Sequence, residues 1–228
     1  MFKKNDLSLK LKNFSRFVSR RNIAKFLNHY EIYKKQLNIH GSIIDCGVNQ
    51  GFSLFNWFHF SNILEPYNSS RLIFGFDTFD GFKDVSKNKK IDGVYSDKKR
   101  FKELKDLQNY DLMLDSIKEQ NQDRALPNIK KIEIIKGNAT KTIPKFVKEN
   151  KYLIISLLHL DFDTYKPTKI ALKEFLPRMA SGSIIAFDEI NNKEAPGETI
   201  AMIEEMNIKK FKINRNYFDS YLSYVILE

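Results

Sequence analysis

Residues 42–51 read S-I-I-D-C-G-V-N-Q-G and decide the fold that we predict for this 228-residue chain. A short β-rich run stops at Gly47, and a second glycine, Gly51, precedes an apolar stretch that is typical of a helix. Glycine lets the backbone turn sharply and approach a ligand, and the amino end of the next helix presents free N–H groups. Alone, the motif is equally compatible with an ordinary strand–turn–helix unit, so the prediction depends on the flanking sequence.

Strand-like and helix-like segments alternate on both sides of this turn. Strands are predicted over residues 42–47, 71–76, 131–136, 152–161 and 183–188. Helices are predicted over 14–37, 51–64, 143–149, 167–176 and from about Gly197. The strands are continuous apolar runs, which favours a mostly parallel sheet covered by helices on both faces. Segments 209–213 and 221–227 are predicted to close the sheet as an antiparallel pair.

One α/β domain is predicted over residues 41–228, preceded by a basic helical extension over residues 1–40. The extension has seven Lys and three Arg against Asp6 and Glu31, so it carries +8 of the net charge of +10. Residues 82–127 are polar and weakly patterned up to Phe101, after which Leu104, Leu107, Leu112, Leu114 and Ile117 indicate a helix. We interpret 82–127 as an insertion over the active site.

Four predicted strands end in an aspartate: Asp45, Asp77, Asp161 and Asp188. Ligands of parallel α/β sheets bind beyond the carboxyl ends of the strands. Acids gathered there repel one another unless a cation or a hydroxyl-rich ligand lies among them. Asp45 replaces the first glycine of the G-x-G-x-x-G dinucleotide pattern, which disfavours a pyrophosphate and suits the cationic methionine end of S-adenosylmethionine. Asp77 is placed to bind both hydroxyls of a ribose.

Asn138 follows the third predicted strand in K-G-N-A-T. Its amide is placed either to contact an adenine edge or to cap the next helix, and the sequence leaves both interpretations open. The candidate donor site comprises Asp45, Gly47, Val48, Asn49, Gly51, Ser53, Asp77 and Asn138.

The fourth and fifth strands end L-L-H-L-D-F-D-T-Y-K-P-T (157–168) and I-I-A-F-D-E (184–189). Carboxylates that converge from adjacent strands suit Mg²⁺, so Asp161, Asp188 and Glu189 are the candidate metal ligands. The alternative is that Asp163 and Glu189 are solvated while Asp188 caps a loop. A period of two places His159, Asp161 and Asp163 on one face if the strand persists, but such a histidine more often packs beneath a site than binds within it.

Four motifs in order resemble the macrocin O-methyltransferase-like family of class I methyltransferases, from Arg21 to Glu205. They are D-C-G-V-N-Q-G, G-F-D-T-F-D-G-F, H-L-D-F-D-T-Y-K-P-T, and F-D-E followed by P-G-E-T. The resemblance implies a Rossmann-like fold with a mostly parallel seven-stranded sheet, S-adenosylmethionine as donor, Mg²⁺ dependence, a sugar hydroxyl as acceptor, and homodimers or higher homo-oligomers. By position, Asp161 resembles the family's metal ligand and general base. Asp188 and Glu189 resemble the adjacent ligand pair, although some members have Asp at the second position, and Asn138 stands where an acid is often found.

Three other functions remain compatible with the sequence. A methyltransferase acting on RNA, a phenol or another small metabolite is one, but no RNA-binding signature accompanies the basic amino terminus, and we expect no nucleic-acid partner. A non-catalytic protein that retains the fold is the second. A nicotinamide dehydrogenase is the third, and the missing G-x-G-x-x-G counts against it.

Cysteine usage and hydropathy set the expected environment. A single cysteine, Cys46, excludes an internal disulfide and favours a reducing cytoplasm. No apolar run approaches the roughly 18 residues of a transmembrane helix. We therefore predict a cytoplasmic enzyme with a small-molecule or glycan acceptor.

Overall fold

A computed structural model describes residues 5–97, 109–218 and 220–228 of the chain, with a seven-stranded sheet at its centre. The strands are β1 Ser42–Cys46, β2 Ile73–Asp77, β3 Ile132–Lys136, β4 Ile155–Leu160, β5 Met179–Phe187, β6 Asn214–Arg215 and β7 Ser223–Ile226. They lie in the order β3-β2-β1-β4-β5-β7-β6. Strands β1 to β5 are parallel, whereas β7 is antiparallel to β5 and to β6. The predicted Rossmann-like, mostly parallel fold is confirmed.

Helices cover both faces of this sheet. They are α1 Asn5–Lys12, α2 Phe14–Phe17, α3 Arg20–Gln36, α4 Phe52–Leu64, α5 Lys89–Asp92, α6 Tyr110–Asn121, α7 Ala139–Glu149, α8 Tyr165–Phe175 and α9 Gly197–Glu205. Short 3₁₀ turns occur at Gly93–Ser96, Leu176–Arg178 and Ile208–Lys210. In the part of the chain that the structure describes, no helix is both long and apolar enough to cross a lipid bilayer.

The continuous apolar runs of the strands are explained by a hydrophobic core on each face. One core joins Ile43, Ile73, Leu157 and Ile184 of the sheet to Tyr33, Trp57, Phe58 and Phe60 of α3 and α4. The other joins Ile44, Phe74, Leu158 and Ile185 to Phe146, Leu172, Phe175 and Met202 of α7, α8 and α9. Successive strand residues point to opposite faces, so both must be apolar when both faces are covered.

Helix α3 packs against the same core as α4. It begins after Ser19, whose hydroxyl accepts a hydrogen bond from the Asn22 amide, and it buries Ile32 and Tyr33 completely. The boundary that we predicted at residue 40 stays a prediction. Burial of these α3 side chains nevertheless ties this helix to the sheet.

Several predicted element bounds differ from the structure. Helix α7 begins at Ala139 rather than at residue 143, because Asn138 caps it by accepting from the Thr140 amide. The first closing strand lies at 214–215 rather than 209–213, since pairing with β7 sets its position. Strand β4 ends at Leu160, so Asp161 and Asp163 follow the strand rather than extending its face. The predicted helical residues Phe101, Leu104 and Leu107 lie outside the described residues.

The predicted insertion is fixed to the domain through Asp92. This side chain is fully buried and accepts hydrogen bonds from the amides of Ser86 and Tyr165, the latter at 2.7 Å. The next residue, Gly93, has a φ of +50°, and a Cβ there would lie 1.9 Å from the Glu194 carbonyl oxygen, so only glycine fits. The start of the insertion is thus tied to the first residue of α8.

Candidate active site

The turn after β1 is closed by backbone contacts with β2 and β4. Gly47 has a φ of +92°, and a Cβ there would lie 1.9 Å from the Asp161 carbonyl oxygen. Its amide donates to the Phe76 carbonyl at 2.9 Å, and the Asp161 amide donates to the Cys46 carbonyl at 2.9 Å. These bonds bring the carboxyl ends of three strands together, as a parallel sheet requires.

Asp77 is held against this turn. One carboxylate oxygen accepts from the Asn49 amide at 2.8 Å, and the other accepts from the Phe79 amide at 2.8 Å. Burial raises the pKa of Asp77, while the backbone hydrogen bonds oppose that rise. The two predicted halves of a nucleoside site, the turn and Asp77, are therefore in contact.

Two cavities meet at the turn. The first, of about 120 Å³, is lined by Asp77 and Asn138 and by residues of the insertion such as Phe82. The second, of about 340 Å³, is lined by Val48, Ser53 and Lys25 among others. Gly47, Asn49 and Asp161 line both cavities. Most of the predicted donor residues and the predicted base thus border these two adjoining cavities.

Asp45 is placed beneath the turn and is fully buried. Its carboxylate accepts from the Ser53 hydroxyl at 2.9 Å and the Trp57 indole at 3.1 Å, and it lies 2.6 Å from the His159 Nδ1 atom. Gly51 lies at the amino end of α4, also with a φ of +92°. Any direct contact of Asp45 or Gly51 with a donor stays a prediction, because the Asp45 oxygens already bind protein groups.

The sequence left two roles open for Asn138, and the structure shows one of them. Its side-chain oxygen caps α7, and its amide nitrogen donates to Asp84 at 2.7 Å. The residue also lines the first cavity, beside Asp77. The capping role is observed, and contact with an adenine stays a prediction.

Acidic side chains cluster at the ends of β4 and β5. A nitrogen of His159 and carboxylate oxygens of Asp161 and Asp188 lie within 4.8 Å of one another. Burial, then repulsion from Asp188 and Asp163, raises the pKa of Asp161 well above the usual value of an aspartate. Burial also raises the pKa of Glu189, which follows Asp188 and accepts from the Asn192 amide group at 3.3 Å.

A lysine that the sequence analysis missed neutralises part of this cluster. The Lys25 Nζ atom of α3 lies 3.1 Å from the Asp188 Oδ1 atom and 3.9 Å from the Asp161 Oδ2 atom. The sequence indicated that a cation or a hydroxyl-rich ligand would lie among these acids, but α3 is more than a hundred residues away along the chain. No local pattern marks Lys25 as the residue that supplies the charge.

Glu198 was also missed, and it joins the two acidic loops. It is 1% exposed, and its carboxylate accepts from the amides of Asp163 and Glu189, each at 3.3 Å. Burial and the neighbouring Asp163 and Asp188 raise its pKa well above the usual value. The P-G-E-T motif contains this residue, and its position at the start of α9 is the signal that was available.

Tyr95 brings the insertion into the acidic cluster. Its hydroxyl donates to the Asp163 carboxylate at 2.6 Å. Asp163 has a φ of +61°, and burial raises its pKa to about 7. Residues of 82–127 therefore contact the site directly, at Tyr95 and at the cavity-lining Phe82.

Comparisons with known proteins agree with this geometry. The model of a methyltransferase domain family matches residues 44–190. No curated protein matches the chain significantly. A crystal structure of CalS11, a calicheamicin methyltransferase, is 26% identical, with a TM-score of 0.87 over 98% of this chain and 86% of that one.

Two further solved structures extend the comparison. An apo structure of CalS11, described as a TDP-rhamnose 3′-O-methyltransferase of calicheamicin biosynthesis, is 26% identical over 95% of this chain and 85% of that one, with a TM-score of 0.80. The O-methyltransferase NovP is 16% identical over 90% and 80%, with a TM-score of 0.66, and shows the fold alone.

Proposed function

This chain belongs to the methyltransferase domain family and is an S-adenosylmethionine-dependent O-methyltransferase, and we propose that its acceptor is a sugar hydroxyl of a glycan, nucleotide-sugar or glycosylated metabolite. The observation that carries the proposal is the meeting of the two cavities at Gly47, Asn49 and Asp161. A donor in the first cavity and an acceptor in the second would meet beside the Asp161 carboxylate.

The first cavity suits the nucleoside part of the donor. Asp77 borders it with a carboxylate that the Asn49 and Phe79 amides hold in place, as binding of two ribose hydroxyls requires. Asn138 lies beside it, at the position proposed for the adenine edge. Gly47, Asn49 and Asp161 also line this cavity, and we expect the methionine end of the donor to lie beside them.

The residues at the strand ends fit a divalent cation such as Mg²⁺. Asp161 and Asp188 belong to one group of ligand atoms and provide the oxygen ligands that hard cations prefer, while Glu189, the third proposed ligand, lies outside that group. Lys25 shows that a positive charge is accommodated between Asp161 and Asp188. A bound cation would stabilise negative charge on the acceptor oxygen as the methyl group is transferred. Its presence is part of the proposal.

Asp161 is the proposed general base. Burial and neighbouring acids raise its pKa, which makes its carboxylate a better proton acceptor than a solvated aspartate. It borders both cavities, so an acceptor hydroxyl bound there would lie next to it. The rest of the rate enhancement is expected from holding oxygen, methyl carbon and sulfur in line.

The sugar class of the acceptor is supported by CalS11, which is described as acting on TDP-rhamnose. This likeness extends over nearly the whole of this chain. Contact of Tyr95 with Asp163, just after β4, supports a role of the 82–127 insertion in acceptor choice.

We further propose that the protein is a cytoplasmic homodimer or higher oligomer. Large apolar side chains of α1, α2 and α3 are solvent-exposed in the single chain: Leu9, Leu11, Phe14, Phe17 and Phe26. An apolar surface of this kind suits contact with a second copy. Sedimentation analysis tests the oligomer, and a purely monomeric protein would contradict it.

Asp161→Asn tests the mechanism. The variant should lose turnover of a nucleotide-sugar panel, measured as S-adenosylhomocysteine release, while its S-adenosylmethionine affinity stays within a few-fold of the wild type. Glu149→Gln, which removes an exposed carboxylate that pairs with Lys145 and borders neither cavity, is the control and should remain active. Wild-type rates in Asp161→Asn would contradict the assignment of the base. Full wild-type activity after chelation would contradict the cation.

A further inference from the structure

His159 lies directly beneath the acidic cluster, with one ring nitrogen bonded and the other not. It is completely buried, and its Nδ1 atom lies 2.6 Å from the Asp45 carboxylate. Its Nε2 atom has no hydrogen-bond partner among the described residues. A buried polar atom without a partner lowers the stability of the fold, so we expect Nε2 to bind a ligand.

Asp45 fixes the orientation of this ring. The Asp45 carboxylate is itself held by Ser53 and Trp57, so it cannot readily turn away from His159. A carboxylate acceptor at Nδ1 places the ring proton there and leaves the Nε2 lone pair open. Histidines that bind metals almost always donate the N–H of the other ring nitrogen to an acceptor, and a carboxylate such as Asp45 is one of the common acceptors.

A ring nitrogen of His159 belongs to a group of the size that a cation requires. Ligand atoms of His159, Asp161 and Asp188 lie within 4.8 Å of one another, and Nδ1 is already bonded to Asp45. Ligands about 2.1 Å from one ion lie at most about 4.2 Å apart, so small side-chain rotations would complete the site. The Lys25 ammonium already lies against both carboxylates.

We propose that His159 Nε2 is a ligand of the cation held by Asp161 and Asp188, so that the site takes a divalent transition ion such as Mn²⁺ or Co²⁺ in preference to Mg²⁺. This inference rests on the proposed function only for the presence of a cation at these two carboxylates. Imidazole nitrogen is a common ligand of transition ions and an uncommon one of Mg²⁺, which prefers oxygen. This role also explains why a carboxylate is buried at Asp45, because it orients the His159 imidazole.

Pulsed electron paramagnetic resonance of Mn²⁺ bound to the wild-type protein tests the inference without turnover. We expect a ¹⁴N coupling from a directly bound imidazole, and its loss in His159→Gln. Titration should show His159→Gln binding Mn²⁺ at least about tenfold more weakly, with Mg²⁺ affinity within about twofold of the wild type. Asp45→Asn should retain the coupling while binding Mn²⁺ more weakly.

The outcomes separate the inference from the proposed function. A wild-type Mn²⁺ complex without ¹⁴N coupling overturns the inference and leaves a carboxylate-bound cation intact. Failure of the wild type to bind either ion overturns both the inference and the proposed cation, whereas methyl transfer can still be measured with a chelator present. Because the spectrum of the wild type decides by itself, the test survives if His159→Gln does not fold.

Discussion

Replacing Lys25 with methionine tests whether its ammonium stabilises the acidic cluster. Two unit charges about 4 Å apart attract by about 4 kcal/mol at an effective dielectric of 20, and desolvation of the ammonium offsets part of this. The Lys25 side chain is 32% exposed and that of Asp188 is 14% exposed, so the pair lies between a surface and a buried ion pair. We expect Lys25→Met to lower the free energy of unfolding by about 1–2 kcal/mol at neutral pH without metal. This corresponds to a decrease in Tm of roughly 2–8 °C.

The dependence on pH identifies the cause. Because the pKa of Asp161 is raised in the folded protein, its ionisation destabilises the fold as pH rises, and removing Lys25 raises that pKa further. The loss of stability of Lys25→Met relative to the wild type should therefore increase from pH 5 to pH 8. Thermal melts followed by circular dichroism measure this loss. Lys34→Met, on the same helix, removes an exposed pair with Glu31 and is the control for a lost surface charge. If Lys25→Met were as stable as the wild type, or lost the same stability at every pH, the reasoning would be refuted.

Three further predictions concern the donor site and the stability of the fold. Asp77→Ala should weaken S-adenosylhomocysteine binding about a hundredfold by calorimetry, because two charge-assisted hydrogen bonds to a ribose are lost, and unchanged affinity would argue against the assignment. Burial lowers the pKa of Lys131 to about 8, so its charged form destabilises the fold below that pH and the cost fades as pH rises toward 10.5. Lys131→Met should therefore exceed the wild type in free energy of unfolding by about 1–2 kcal/mol at pH 7, measured in urea, and by less at pH 10. An equal increase at both pH values would contradict this prediction. Arg71→Leu should lower the free energy of unfolding by about 3–5 kcal/mol in the same assay, because it leaves the largely buried Glu65 carboxylate without its 2.6 Å partner. The control Lys83→Leu, which removes an exposed pair, should lower it by less than about 1 kcal/mol.

Local patterns were sufficient for the sheet but not for every element bound. The runs ending at Asp45 and Asp161 are apolar on both faces, and this predicts buried parallel strands without knowledge of their neighbours. The two-residue strand β6 has no such pattern, since only its pairing with β7 defines it. The early start of α7 depends on a capping bond from Asn138, which the sequence permitted but did not require.

The acids of the site were predictable because topology alone brings strand ends to one edge. Lys25 and Tyr95 were not, because each reaches the cluster from a distant segment: 163 residues separate Lys25 from Asp188, and 68 separate Tyr95 from Asp163. Such contacts depend on how helices and loops pack, which a single sequence does not encode in local periodicity. For the same reason the sequence could not distinguish an Asp45 that faces a ligand from one that orients His159.

The anchoring of the insertion through Asp92 has a consequence for how acceptor scope could be altered by segment exchange. The Asp92 carboxylate accepts from the Tyr165 amide, and the Val94 amide donates to the Glu194 carbonyl, against which Gly93 packs closely. A segment transplanted from another methyltransferase would need an equivalent buried carboxylate and glycine to seat correctly. An exchange that keeps Asp92 and Gly93 should therefore leave the acidic loops in place, which makes these two residues the natural boundary for such a graft.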